Sequence, residues 1–337
     1  MTETQLTFLW QPVKDGARLL RVYGNSSQVE LPDKIEQKTS QGVERLNITE
    51  LGSYCFAKRT PRFRGDACLG DQIVNGSSYQ EQEYSAVCGD YVERVRLPEH
   101  LHTIDNAAFY NCESLRELSI GTEIKSIGGD VFTNDDKLKR LIVRCKDGTK
   151  SGLPLVLERY KQDITVQFIP DGASVIDSSI YFPEYYEMLD EIAPAHIFSR
   201  SVEGEGYRMR NCFRDGMLNY EEYDKCYDKT MAEESDENLC RIAENRLRWP
   251  VHLKDFYREQ YRKALEKRMK IALRISVRER DLETLQYLCE AFKIDTMLLD
   301  QAMDQAIGQE WAEGASFFME VKSKASKEES FDFDLDF

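Results

Sequence analysis

The residues with most potential for chemistry are nine cysteines: Cys55, Cys68, Cys88, Cys112, Cys145, Cys212, Cys226, Cys240 and Cys289. Thiolates can ligate zinc or cycle through disulfides, but no Cys-x-x-Cys pair occurs and the count is odd. Cys55 precedes Phe56 and Cys289 follows Leu288, inside apolar patterns, so thiol reads as a small core hydrophobe kept reduced. Four histidines are few for an enzyme of this size, and only His100 and His102 lie close together, two apart at a turn. A zinc site needs three or four ligands, and no third follows at suitable spacing, so neither a metal nor a cofactor is expected. Asp215-Gly-Met-Leu-Asn-Tyr-Glu-Glu lacks the ligand order of a calcium loop. No phosphate loop GxxxxGK[ST], no GxGxxG after a strand, no HExxH and no GxSxG elbow is present. No catalytic residue can therefore be named. The alternative is an enzyme or small-molecule regulator with a site at the junction of two halves, residues 170–235, where Tyr181, Tyr185, Tyr186, His196 and Tyr207 gather.

Charge narrows the partners. The 337 residues carry 45 basic and 60 acidic side chains, a net charge of −15, which repels phosphates over most of the surface and argues against nucleic acid. A hydrophobic content of 41% is enough to bury a core. No apolar run approaches the roughly 18–20 residues of a membrane span. MTETQLTFLWQPVKDG has neither a basic segment nor a long apolar stretch, so no secretory signal is read and a cytoplasmic location is expected. The sequons at Asn25, Asn47 and Asn75 then read as chance matches.

The elements that position these residues come from an internal repeat. Val92–Leu115 and Leu115–Leu138 align with a period of 23: Val95, Leu118 and Leu141 share it, as do Leu97 and Ile120, Ile104 and Ile127, Phe109 and Phe132, and Leu115 and Leu138. An interrupted earlier copy runs over 29–56. Val29-Glu-Leu31-Pro32 matches Val95-Arg-Leu97-Pro98, and Leu51 stands five residues before Phe56 as Ile104 does before Phe109. The alignment needs 13 residues inserted between Leu31 and Leu51 and 30 more after Phe56, the latter read as a surface loop or hairpin over residues 60–90.

LPxxLxxIxxxAFxxCxxLxxLxI resembles the BspA-type leucine-rich repeat of bacteria and protists, over about 29–56 and 92–145. The resemblance implies a short right-handed solenoid, one strand and a turn or short helix per coil, and a role in binding another protein or peptide. One coil cannot bury its own apolar face, so neighbours must stack. LTFLW and ARLLRVYG read as strands capping one end. LPLVLERY reads as a last short helix and ITVQFI as a closing strand.

Period-two alternation puts Val95, Leu97, Leu118 and Ile120 inside and Arg94, Arg96, Glu117, Ser119, Arg140 and Ile142 outside. In register, Arg94, Glu117 and Arg140 form a ladder of alternating charge. It serves either as a protein-binding face or as solubilising charge paired across strands.

After Pro170-Asp-Gly the period shifts toward 3.6. Pro183-Glu-Tyr-Tyr-Glu-Met-Leu is expected to start a helix, with Pro near the N-terminus. Asp236, Asp281 and Asp295 read as N-caps of later helices. His252 to about Val277 reads as one long helix, and the basic run Tyr257–Arg280 as a helix laced with its own ion pairs. Residues 265–323, with Leu285 and Ala315 30 apart, resemble a degenerate ankyrin helix pair without the TPLH signature; HEAT-like packing is equally allowed. The expected fold is α+β: a leucine-rich-repeat solenoid with β caps over 1–170, an all-α helical-repeat domain over 171–323, and an acidic, aromatic tail over 324–337. In the tail Phe331, Phe333, Leu335 and Phe337 alternate with acids. It reads either as a disordered terminus or as a short docking motif. The expected function is a non-catalytic cytoplasmic scaffold for another protein, binding neither nucleic acid, membrane nor metal.

Overall fold

The computed structural model describes residues 6–39, 42–81, 85–192 and 197–333, with side chains left out over 38–39, 189–200 and 324–333. The chain divides into two compact units, Met1–Cys226 and Tyr227–Phe337. Helices and strands are mixed, as the α+β reading requires.

The first unit opens with the antiparallel pair β1 (Thr7–Val13) and β2 (Gly16–Tyr23). Next come β3 (Gln28–Glu30), then β4 (Lys34–Thr39) and β5 (Gly42–Leu51), which form a long hairpin, then the hairpin of β6 (Asp66–Leu69) and β7 (Gln72–Asn75). The β4–β5 hairpin falls in the first expected insertion, and the β6–β7 hairpin occupies part of the second, residues 60–90. The repeat strands follow: β8 (Arg94–Arg96), β9 (Thr103–Ile104), β10 (Glu117–Ile120), β11 (Ser126–Ile127) and β12 (Arg140–Val143). After α1 (Leu153–Arg159) come β13 (Ile164–Phe168) and β14 (Ser178–Phe182), then the hairpin β15 (Tyr186–Ile192) and β16 (Ile197–Glu203). The unit ends with α2 (Gly206–Arg210), β17 (Phe213–Arg214), β18 (Met217–Leu218) and α3 (Tyr220–Lys225).

Each repeat copy supplies one strand to each of two sheets. One sheet has the order β14-β13-β12-β10-β8-β3, parallel from β3 to β13 and closed by antiparallel β14. The other runs β11-β9-β5-β2-β1-β6-β7. The register reproduces the sequence repeat: Val29, Val95, Leu118, Leu141 and Val166 lie side by side, and so do Leu51, Ile104 and Ile127. All are buried. Outside the strands, rings of successive copies stack. Phe56 lies 5.0 Å from Phe109, Phe109 lies 5.8 Å from Phe132, and Tyr160 closes the row edge-on at 5.9 Å. Backbone bonds join copies outside the strands too, such as Phe109 N–H to Val131 O and Asn111 N–H to Thr133 O. Gly128 lets adjacent turns approach: a Cβ there would stand 2.5 Å from the Asn106 backbone nitrogen.

Two expectations after Pro170 are corrected. The segment at Pro183 is not a helix. It joins β14 to β15, because Ile180 and Phe182 are needed at the sheet's closing edge and the backbone stays extended into the hairpin. The stretch from His252 to Val277 is likewise broken, at Arg268, whose backbone leaves helical geometry.

The second unit contains α4 (Tyr227–Glu233), α5 (Asp236–Arg248), α6 (Asp255–Lys267), α7 (Met269–Glu279), α8 (Leu282–Ala291), α9 (Thr296–Gly308) and α10 (Ala312–Phe333). Asp281 and Asp295 cap α8 and α9 through the N–H groups of Thr284 and Met297; α5 is capped by Ser235, one residue before the expected Asp236. The pairs α7–α8 and α9–α10 repeat at 30 residues. Arg280 and Glu310 both turn through left-handed backbone at φ 55°, and Asp281 N–H to Ser276 O is matched by Trp311 N–H to Ala306 O. The basic run pairs mainly across helices: Arg268 reaches Asp236 at 2.5 Å, and Arg274 and Arg278 reach Glu237 at 3.1 and 2.9 Å. The backbone of the expected tail is helical as far as Phe333.

Candidate protein-interaction surface

The outward side chains of the parallel sheet form two rows. Gln28, Arg94, Glu117, Arg140 and Thr165 make one, and Glu30, Arg96, Ser119, Ile142 and Gln167 the other. Strand periodicity thus brings all six sheet residues named from the sequence onto one face. They differ in availability. Arg94 and Arg140 are exposed, Arg96, Glu117 and Ile142 are half-buried, and Ser119 is 7% exposed. Arg140 Nε lies 3.1 Å from Glu117 and Arg96 Nε 3.1 Å from Glu30, so charge in both rows is paired across strands.

Ser119 is covered by a residue the sequence reading passed over. Arg144 follows β12 and is 5% exposed. Its guanidinium donates to Ser119 Oγ at 3.0 Å, to Leu97 O at 2.8 Å and to Glu99 Oε2 at 3.0 Å. Asp171 joins them, 2.8 Å from Arg96 and 3.7 Å from Arg144. Burial holds the Arg144 pKa below its ordinary value, with the Arg96 charge acting the same way. The hydrogen bond from Arg96 holds the Asp171 carboxyl below its usual range. The sequence signal for Arg144 was available, since continuing the alternation from Arg140 and Ile142 points residue 144 outward. What it could not show is the loop carrying Asp171, which folds back over that end of the face.

A cleft lies where the early copy meets the next. Tyr54, Lys58, Arg59, Ala107, Tyr110, Asn111 and Asp130 line this cleft of about 390 Å³. Tyr54, Ala107 and Asp130 occupy equivalent turn positions, all with positive φ, and Arg59 stacks 4.8 Å over the Tyr54 ring.

The junction tyrosines differ in exposure, and the Tyr185 and Tyr207 rings pack 5.5 Å apart. Tyr181 and Tyr185 are buried, whereas Tyr186 and Tyr207 are exposed; His196 lies outside the described residues. Between them Arg210, 7% exposed, donates to the carbonyls of Tyr160, Gln162, Pro183 and Gly206. It also lies 5.2 Å over the Tyr185 ring, and burial pushes its pKa down to about 10. The buried guanidinium thus ties α2 to the backbone at Tyr160, Gln162 and Pro183. His100 and His102 share one carboxylate, Glu123, at 3.3 and 2.9 Å. Among the described residues no His, Cys, Asp and Glu group could hold a metal, and no helix is long and apolar enough to cross a membrane. The side chains of Phe331 and Phe333, and all of Leu335 and Phe337, lie outside the described residues.

The family model described as BspA type Leucine rich repeat region (6 copies) matches residues 71–149. These residues form a BspA-type leucine-rich repeat region. Repeats of this kind generally mediate protein–protein interaction and are typically not enzymatic. The match covers the BspA-type copies in β8 to β12; the early copy at 29–56 lies outside it and is tied to them by the register of Val29 with Val95 and Leu51 with Ile104. No curated protein and no solved structure significantly matches the chain.

Proposed function

We propose that the protein is a non-catalytic interaction scaffold whose BspA-type copies stack as a short right-handed solenoid. Its binding face is the outer surface of the parallel sheet, centred on Arg94, Arg96, Glu117 and Arg140. The observation that carries this reading is the in-register outward row Gln28–Arg94–Glu117–Arg140–Thr165. A sheet backbone that is already ordered presents several side chains at once with little backbone ordering cost, which favours a protein or peptide ligand. Ser119 is no part of the contact surface, since Arg144 covers it; Ile142 is its apolar centre. The helical unit supplies a second repeat surface, and the Phe/Asp residues 331–337 a short docking motif. The reducing cytosol is the proposed location, in keeping with nine cysteines that are all free thiols.

The test is affinity capture from the source cells with three tagged chains: the full protein, the Arg94→Glu/Arg140→Glu double variant, and a chain ending at Ala325. A specific partner lost only by the double variant supports the sheet face. Loss only on truncation moves the site to the tail. If no chain captures a partner, the scaffold reading falls.

A further inference from the structure

Cys212 and Cys226 stand apart from the other thiols. Cys212 follows α2 and Cys226 follows α3, at the end of the first unit, and their sulfurs lie 3.8 Å apart. Between them the chain makes the β17–β18 hairpin and α3, held to Cys212 by Asn219 N–H to Cys212 O at 2.8 Å. A disulfide requires the sulfurs at about 2.05 Å, so the two must approach by less than about 2 Å from their separation of 3.8 Å.

We propose that Cys212 and Cys226 form a reversible disulfide that clasps the segment 213–225. The two thiols are not equivalent. Cys212 is buried, whereas Cys226 is half-buried. The hydrogen bond from Cys212 favours the Cys226 thiolate, whereas Cys212 is held as the thiol. The oxidant class is a small-molecule disulfide. Cys226 thiolate attacks one of its sulfurs, a new S–S bond forms on Cys226, and the other half leaves as a thiolate that takes a proton. Cys212 then loses its proton to water and attacks the Cys226 sulfur, expelling the second half as a thiol. Overall two protein thiols are oxidised by two electrons, and one small disulfide is reduced to two thiols.

The experiment equilibrates the full chain in mixtures of oxidised and reduced glutathione, quenches with acid, alkylates, and maps peptides without reduction. The proposal expects a peptide pair joined through Cys212 and Cys226, reversed by dithiothreitol, with residues 213–225 cut more slowly by protease when oxidised. It is overturned if both cysteines are alkylated, or if Cys226 stays as a glutathione adduct, in the most oxidising mixture. In the Cys212→Ser variant the adduct on Cys226 should persist. In Cys226→Ser, Cys212 should acquire adduct at least about tenfold more slowly, as expected of a buried, protonated thiol; equal rates overturn the order of attack. Circular dichroism checks that both variants fold, and if either does not, the map of the unaltered chain decides.

Discussion

The rings of Phe56 and Phe109 stack with centroids 5.0 Å apart and planes inclined by 4°, although 53 residues separate them. The next pair in the row, Phe109 and Phe132, is 23 apart and stacks with planes inclined by 16°. The interrupted copy therefore occupies the place of a complete one. The extra residues leave as the β6–β7 hairpin, which pairs with β1, and the chain returns in register.

Phe109 is at the centre of that row and fully buried. Phe109→Ala should lower unfolding stability by about 3–5 kcal/mol, the range for deleting a buried aromatic ring. Phe109→Leu should cost clearly less. Urea titration followed by circular dichroism measures both, and equal small losses would mean the row does not hold the copies together.

Asp135 stands 23 residues after Cys112, where the repeat places a thiol in the core. It is 1% exposed; Oδ1 accepts the Cys112 N–H at 2.8 Å and Oδ2 has no partner. Burial pushes its pKa up to about 8. The native state thus binds a proton the unfolded chain releases near pH 4. The stability from the neutral carboxyl is complete below the unfolded value and is lost as pH rises through about 8. Asp135→Asn should gain on the parent as pH rises from 5 to 9, flattening the melting temperature over that range. A parallel decline in both proteins would show that Asp135 is not the titrating group.

Arg144 donates to Ser119, Leu97 O and Glu99 in buried surroundings. Arg144→Ala leaves those acceptors unpaired and should cost about 2–4 kcal/mol. A double-mutant cycle with Glu99→Gln should return a coupling of about 1 kcal/mol or more, and additive losses would contradict the geometry.

At Gly128 a methyl group would collide with the Asn106 backbone, which is fixed by the neighbouring turn. Gly128→Ala should destabilise by about 1–3 kcal/mol through overpacking. Gly129→Ala, one residue on, meets only the Asn106 Oδ1 at 3.8 Å and serves as the control. Similar melting temperatures for the two variants would refute the close approach.

In the helical unit Glu310 is an exposed residue at φ 55° just after α9. Glycine adopts that conformation without strain, so Glu310→Gly should stabilise by about 0.5–1 kcal/mol. Calorimetry of the full chain resolves the change; a lower melting temperature would place Glu310 in some other role.

The sequence by itself determined what depends on period and neighbouring residues. The 23-residue spacing named the inward and outward positions of β8, β10 and β12, and the match of Leu51 with Ile104 located both insertions. Asp281 and Asp295 marked their helices because a cap is a local interaction. α1 and β13 were legible for the same reason. The tertiary structure decided what depends on distant segments. Pro183 reads locally as a helix start, but the preceding residues Ile180 and Phe182 are buried by pairing with β13, and cross-strand burial outweighs helix propensity. Of the outward face, the sequence supplied the six positions and the alternating charge. It could not show that Arg144 and Asp171 cover Ser119, because a loop's return path leaves no period. Nor could it show that Arg210 would be buried against four backbone carbonyls, or that two thiols 14 residues apart would meet. Periodicity is written residue by residue, whereas such contacts arise only when separate segments compete for the same buried volume.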